Sequence, residues 1–208
     1  RDLGAPTALL PPGVLVAELV RRLGSSAVAG VDPSGQFVAA ARARNPGVGI
    51  EAASAEQLPF GDDAFDAALA QLVVHFMADP VAGLAEMARV TRPGGVVAAC
   101  VWDHAGGGGP LSVFWSAVRA VEPEVDDESR RAGARRGHLA ELLVAAGLND
   151  IEETVLSVAI EHSSFDEWWD PFTLGVGPAG AYVAGLDPQR ATHLRERCRA
   201  LLPAAPFV

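Results

Sequence analysis

The chain has 208 residues, half of them hydrophobic and a fifth charged, enough for one α/β domain with a small embellishment and a substantial core. Its formal net charge of −10 argues against a phosphate-backbone partner, because nucleic-acid binders concentrate Lys and Arg. Cys100 and Cys198 lie far apart without clustered His, so neither a zinc site nor a disulfide framework is expected. No stretch reaches membrane-span length and no basic-then-apolar leader opens the sequence, so the expected setting is soluble, reducing and cytoplasmic, with no membrane partner.

In chain order, Gly13 to Leu23 carries Leu15, Leu19, Val20 and Leu23 at helical spacing and stops at Gly24. Ala27 to Val31 is a short apolar run ending at Asp32, as a strand buried on both faces reads. Ser34 is placed to cap a helix from Gly35 to Arg44, which Asn45-Pro46-Gly47 ends. Val48 to Ala53 and Phe65 to Leu72 read as strands around a Leu58–Asp63 loop. Asp79 caps a helix from Pro80 to Val90, and Arg92-Pro93-Gly94-Gly95 turns the chain into a strand from Val96 to Trp102. This rhythm predicts parallel βαβ units in an α/β, Rossmann-like, doubly wound and mostly parallel sheet with helices on both faces.

The second half reads differently. His104 to Gly109 contains four consecutive glycines without a following P-loop Lys, so a flexible loop is expected there. Helices are expected over Leu111 to Val121, Gly137 to Ala146 and Asp187 to Leu202, and a weakly alternating strand over Ile151 to Ile160. The acidic run from Glu122 to Glu128 and the basic run Arg130, Arg131, Arg135 and Arg136 read as a solvated, partly self-paired and mobile segment. The organisation expected is a single domain over 1–208. Its core spans about 13–103, and a small helical lid of substrate elements spans about 104–136 and 163–203.

Asp32, at the carboxyl end of a parallel strand, faces the crevice where open α/β sheets bind ligands; its oxygens suit a ribose diol, and a turn-capping role before Pro33 is the alternative. The loop Ala53-Ser54-Ala55-Glu56-Gln57-Leu58-Pro59-Phe60 follows the next strand, and Gln71 to Phe76 follows the one after. His75 reads as a base, a substrate contact or a ring in the wall. The Phe165, Trp168, Trp169 and Phe172 cluster reads as part of a substrate wall or as helix-packing core, and Trp102 and His104 as residues facing substrate.

Together, Gly30-Val31-Asp32-Pro33-Ser34, the stretch from Ser54 to Asp66 and the stretch from Met87 to Gly95 resemble, in order and spacing, the class I S-adenosylmethionine-dependent methyltransferases of the small-molecule, type 11-like group. The resemblance covers about 13–103, and Gly137 to Leu148 resembles a late helix of the same group. It implies S-adenosylmethionine as cofactor, S-adenosylhomocysteine as product, and cofactor contacts at Gly13, Asp32, Pro33, Ser54, Ala55, Glu56 and Gln71. It further implies a small-molecule acceptor near His75, Trp102, His104, Trp168 and Trp169, with His75 as the base where one is needed, no metal, and a monomer or homodimer. Ser54 stands where the group often has an acidic residue. The group's acidic-Gly-x-Gly-x-Gly loop is absent: Asp2-Leu3-Gly4-Ala5 imitates its start, Pro6 breaks it, and Pro12-Gly13 resembles its tail. Either that loop lies in residues outside the sequence or the site is degenerate. A methyltransferase-like scaffold is therefore the rival reading, with a nicotinamide-dependent oxidoreductase, lacking its Gly-x-Gly-x-x-Gly fingerprint, behind it.

Overall fold

The computed structural model describes residues 13–208; Asp2 to Pro6 and Pro12 of the loop comparison lie outside them. The chain divides into two compact units. One comprises the described residues up to Val101 together with Ala132–Glu153; the other comprises Trp102–Arg131 and Thr154–Val208.

The first unit is α/β. Helix α1 (Val14–Leu23) is followed by a short 3-10 turn and strand β1 (Ala29–Asp32), then α2 (Gly35–Arg44) and β2 (Gly49–Ala52). Strand β3 (Phe65–Gln71), a 3-10 turn over Val74–Phe76, α3 (Pro80–Val90), β4 (Thr91–Cys100) and α5 (His138–Ala145) complete it. β1 pairs with β2 and β3 with β4, both in parallel, as two helix-connected crossovers require. The architecture is Rossmann-like. Its hydrogen bonding among the described residues forms two two-stranded sheets, β1–β2 and β3–β4. Each pair has its own core: Val38, Ala41, Val48 and Ile50 with Val16 and Val20 of α1 at the first, and Ala70, Val74, Leu84, Met87 and Leu143 at the second.

Local chemistry sets the element ends. Ser34 Oγ accepts from Phe37 N–H at the start of α2, and Asp79 Oδ1 from Ala82 N–H (3.0 Å) at the start of α3. The expected Arg92–Gly95 turn is real but interrupts a strand. Thr91 pairs with Phe65, four residues bulge out, and pairing resumes at Val96 opposite Ala67. Gly94 has φ +76°, and a Cβ on Gly95 would lie 2.6 Å from Asp66 O, so both positions need glycine. The strand ends at Cys100, two residues before the expected Trp102.

The second unit is helical: α4 (Ser112–Arg119), α6 (Phe165–Trp169), α7 (Gly177–Ala184) and α8 (Pro188–Leu201) enclose a core of Phe114, Trp115, Val118, Trp168, Trp169 and Phe172 with Leu194 and Cys198. Two expectations are corrected. No strand forms over Ile151–Ile160, whose Val155, Leu156 and Val158 are exposed. Alternation alone supplies no partner, and His162 makes only an isolated bridge to Phe207. Within α7, Gly180 packs on the Gly175 backbone closely enough to leave no room for a side chain. The charged segment is not simply solvated: Asp127 and Glu128 are 6% and 2% exposed.

Candidate functional site

Parallel pairing places the ends of β1 and β2 side by side, with Asp32 opposite Ala52, and likewise Gln71 of β3 opposite Cys100 of β4. Asp32 is half-buried. Its Oδ1 accepts from Ser34 N–H at 2.8 Å, so this residue does serve the turn. Among the described residues no donor is assigned to Oδ2, which leaves that oxygen available to a ligand hydroxyl. Pro33 is exposed beside it.

Gly13 holds φ +83° at the N-cap of α1, and a Cβ there would lie 2.8 Å from Asn45 Nδ2. That amide donates to Gly13 O (3.3 Å) and Ala41 O (3.0 Å), tying the start of α1 to the end of α2. No side chain caps α1 and its first turn carries no acidic residue. Among the described residues, its leading N–H groups and positive dipole end carry no side-chain partner, as an anion-receiving helix start requires.

After β2, the loop is built onto α3. Glu56 Oε1 accepts from Ala78 N–H (2.8 Å) and Asp79 N–H (3.2 Å), which joins the exit of β2 to the segment that follows β3. The Asp79 N–H foremost, with the Glu56 N–H, Ser54 hydroxyl and Ala78 N–H, holds the Glu56 carboxyl below its usual range against the opposing effect of desolvation. Ala55 packs toward α3, where a Cβ on Gly83 would lie 3.3 Å from Ala55 Cβ. Ser54 is exposed.

A clamp that the sequence reading missed holds the remainder of this loop. Arg89 donates to Phe60 O (2.9 Å), Leu58 O (3.2 Å) and Asp62 Oδ1 (2.7 Å), and Glu86 orients it through both carboxylate oxygens. Glu86 in turn accepts from Leu58 N–H at 2.9 Å. Arg89 thereby fastens the Leu-Pro-Phe loop to α3. The Glu86/Arg89 spacing of three on a helix was the available signal.

At the exit of β3, Leu72 adopts φ +58°, rare for a branched side chain, while its N–H donates to Cys100 O at 2.9 Å. This bends the chain into the turn that carries His75. The imidazole is 7% exposed and lies 4.2 Å, centroid to centroid, from the Phe76 ring. Gln71 is half-buried at the strand end.

The remaining expected site residues lie in the second unit. Trp168 and Trp169 are 7% and 4% exposed within its hydrophobic core, the helix-packing arrangement that was one of the two readings. Trp102 is half-buried and its carbonyl accepts from His104 N–H. His104 lines a cavity of about 310 Å³ together with Trp115, Ser116, Arg119, Asp127 and Ser129. Burial foremost lowers the His104 pKa, with Arg131 in the same direction and Asp127 and Asp103 opposing. Among the described residues no three His, Cys, Asp or Glu side chains converge as metal ligands, and no helix is long and apolar enough to cross a membrane.

A family model described as a methyltransferase domain matches residues 11–99. The demethylmenaquinone methyltransferase of Paenarthrobacter aurescens is 31% identical over 135 residues, 56% of this chain and 51% of that protein. The ubiquinone/menaquinone biosynthesis C-methyltransferase of Bdellovibrio bacteriovorus is 38% identical over 89 residues, 41% of this chain and 38% of that protein. The chain thus spans about half, or less, of the length of these relatives. The crystal structure of a Bacillus halodurans protein assigned as a methyltransferase superposes with a TM-score of 0.52 at 19% identity, covering 87% of this chain and 78% of that one, a likeness of fold. The matched stretch spans the β1, β2 and β3 exits described above, so this part of the chain is similar to methyltransferase domains.

Proposed function

We propose that this protein transfers a methyl group from S-adenosylmethionine to a small-molecule acceptor, with the cofactor held at the strand exits of the first unit. The observation that carries this reading is the Glu56 bridge. It fastens the loop after β2 to the segment after β3, so that Asp32, the 53–60 loop and the Gln71–His75 turn all leave the carboxyl ends of parallel strands. On this reading Asp32 bonds a ribose hydroxyl, the start of α1 behind Gly13 receives a carboxylate, and Pro33, Ser54, Ala55 and Gln71 line the remainder; the Asp32 Oδ2 without an assigned donor among the described residues supports it. When bound, S-adenosylmethionine supplies an already activated methyl on a sulfonium, so the chain's task is alignment and exclusion of water. His75 is our candidate to accept a proton where the nucleophile arrives protonated. Acceptor selection we assign to the second unit. The names of the relatives favour a quinone-type ring as acceptor, which agrees with an apolar, uncharged substrate.

Calorimetric titration tests the cofactor assignment. S-adenosylhomocysteine should bind one to one and NADH should not. Binding of neither would overturn the enzyme reading in favour of a cofactor-free scaffold, and NADH binding alone would favour an oxidoreductase. Mass-shift detection of methylated product across quinol, phenol and amine acceptors, demethylmenaquinone included, then tests the acceptor class.

A further inference from the structure

We infer that a second cavity of the helical unit, lined by α6, the last turn of α8 and the residues after it, binds a small carboxylate with a compact apolar body. The space measures about 460 Å³, within the range of ligand sites. Its apolar lining is Phe165 of α6, Leu202 at the end of α8, and Pro203, Ala204 and Ala205 beyond it. The charged lining is Asp166 and Arg199. Apolar side chains reward burial of a hydrocarbon body and oppose that of a hydrated ion.

The charge of Arg199 selects the carboxylate. Asp166 would cancel it in a closed pair, but this carboxylate is shared. Its Oδ1 accepts from Nη2 of both Arg195 and Arg199, and the Arg199 bond is the longer, at 3.4 Å. Two guanidinium groups thus answer one carboxylate, a local surplus of positive charge in a chain whose formal net charge is −10. Both also lie over the Phe165 ring, with Cζ 5.2 Å (Arg195) and 4.4 Å (Arg199) from its centroid. That contact restrains the Arg199 side chain while it stays 54% exposed. Glu167, beside Asp166 on α6, is turned to Ser163, accepting from the Ser163 N–H and hydroxyl. A guanidinium carries five N–H donors, and among the described residues no acceptor is assigned to Nε or Nη1 of Arg199. Arg199 therefore keeps donors for a second carboxylate. One surplus charge above an apolar lining suits a monoanion better than a phosphate dianion.

This inference is independent of the methyltransferase reading. The experiment is 15N-edited NMR titration of the whole chain with phenylacetate, its uncharged analogue phenylacetamide, and inorganic phosphate. Phenylacetate should shift the amides of Asp166, Leu202 and Ala204 and the Nε–H of Arg199 in a saturable way, with the other two at least about fivefold weaker. Arg199→Met, at an exposed position, should weaken phenylacetate by about the same factor. Asp166→Asn, also exposed, removes the competing carboxylate and should tighten phenylacetate binding about threefold. A purely structural ion pair would give no such gain. Absence of shifts at these residues, equal binding of phenylacetamide or phosphate, full affinity in Arg199→Met, or no gain in Asp166→Asn would each overturn the inference. All of these results leave S-adenosylhomocysteine titration, and the reading it tests, untouched.

Discussion

Arg89→Met removes the clamp on the 58–62 loop while keeping an unbranched side chain of similar length. The Arg89 side chain is 32% exposed, so its bonds count at a discount from their buried values. Two bonds from a charged donor to the Leu58 and Phe60 carbonyls contribute about 1 kcal/mol each after that discount, and the partly shielded Glu86 pair about 0.5 kcal/mol. The Asp62 carboxylate is 75% exposed and adds close to nothing. The expected loss is about 2–3 kcal/mol in urea unfolding, or a fall in melting temperature of about 5–10 °C for a chain of this size. S-adenosylhomocysteine should still bind, about fivefold more weakly, because ordering the freed loop is then drawn from the binding energy. A stability within about 0.5 kcal/mol of the parent, the range of an ordinary surface change, would refute the clamp. A normal affinity accompanied by the full stability loss would show that the loop does not touch the cofactor.

Asp32→Asn should keep the Ser34 turn, since its amide oxygen can still accept, yet weaken S-adenosylhomocysteine binding about 10- to 100-fold by removing a charged acceptor; unchanged affinity by calorimetry would reject the ribose assignment. Gly13→Ala should destabilise the first unit by about 1–3 kcal/mol, from positive φ and the close approach to Asn45, measured by urea unfolding. Glu128 is buried, and desolvation is the foremost influence raising its carboxyl pKa, with its own N–H, Trp115 and Arg131 opposing. The folded chain therefore holds this proton more tightly than the unfolded one. The associated stability is fully present below the unfolded pKa of about 4.3 and declines as pH rises through the folded value. Glu128→Gln should remove that decline in a series of melting curves from pH 4 to 8, and an unaltered pH slope would contradict it.

The first unit was legible because its signals are local. Ser34, Asp79 and Gly13 act within one turn of the helices they start, and the strand exits follow from a short apolar run ending in a polar residue. What could not be read there involved pairs distant in sequence. Glu56 reaches Ala78 and Asp79, and Arg89 reaches Leu58 and Phe60, contacts of 22 to 31 residues that no periodicity announces. In the second unit, tertiary packing overrode composition. An acidic run was partly buried because Arg119 of α4 was available to Asp127. Alternation at 151–160 predicted a strand, but a strand requires an adjacent ladder, and none meets it.

Glu56 sharpens what the cofactor site can be. Its position after β2 invites a direct contact with an adenine, yet its Oε1 already accepts two main-chain N–H groups. The same bonds lower its pKa, so at neutral pH it is an ionised acceptor with no proton to donate. Rotating it toward a ligand would expose the Ala78 and Asp79 N–H groups just where α3 begins and would unlatch the two strand exits from each other. Its contribution is therefore best placed at one remove. It fixes the backbone of the 53–58 loop, so on the proposed cofactor assignment main-chain groups, rather than the carboxylate, would meet the ring. On this account a short polar residue at 54 is compatible with adenine binding, and the specificity of the site resides in the shape of a loop held at one end by Glu56 and at the other by Arg89.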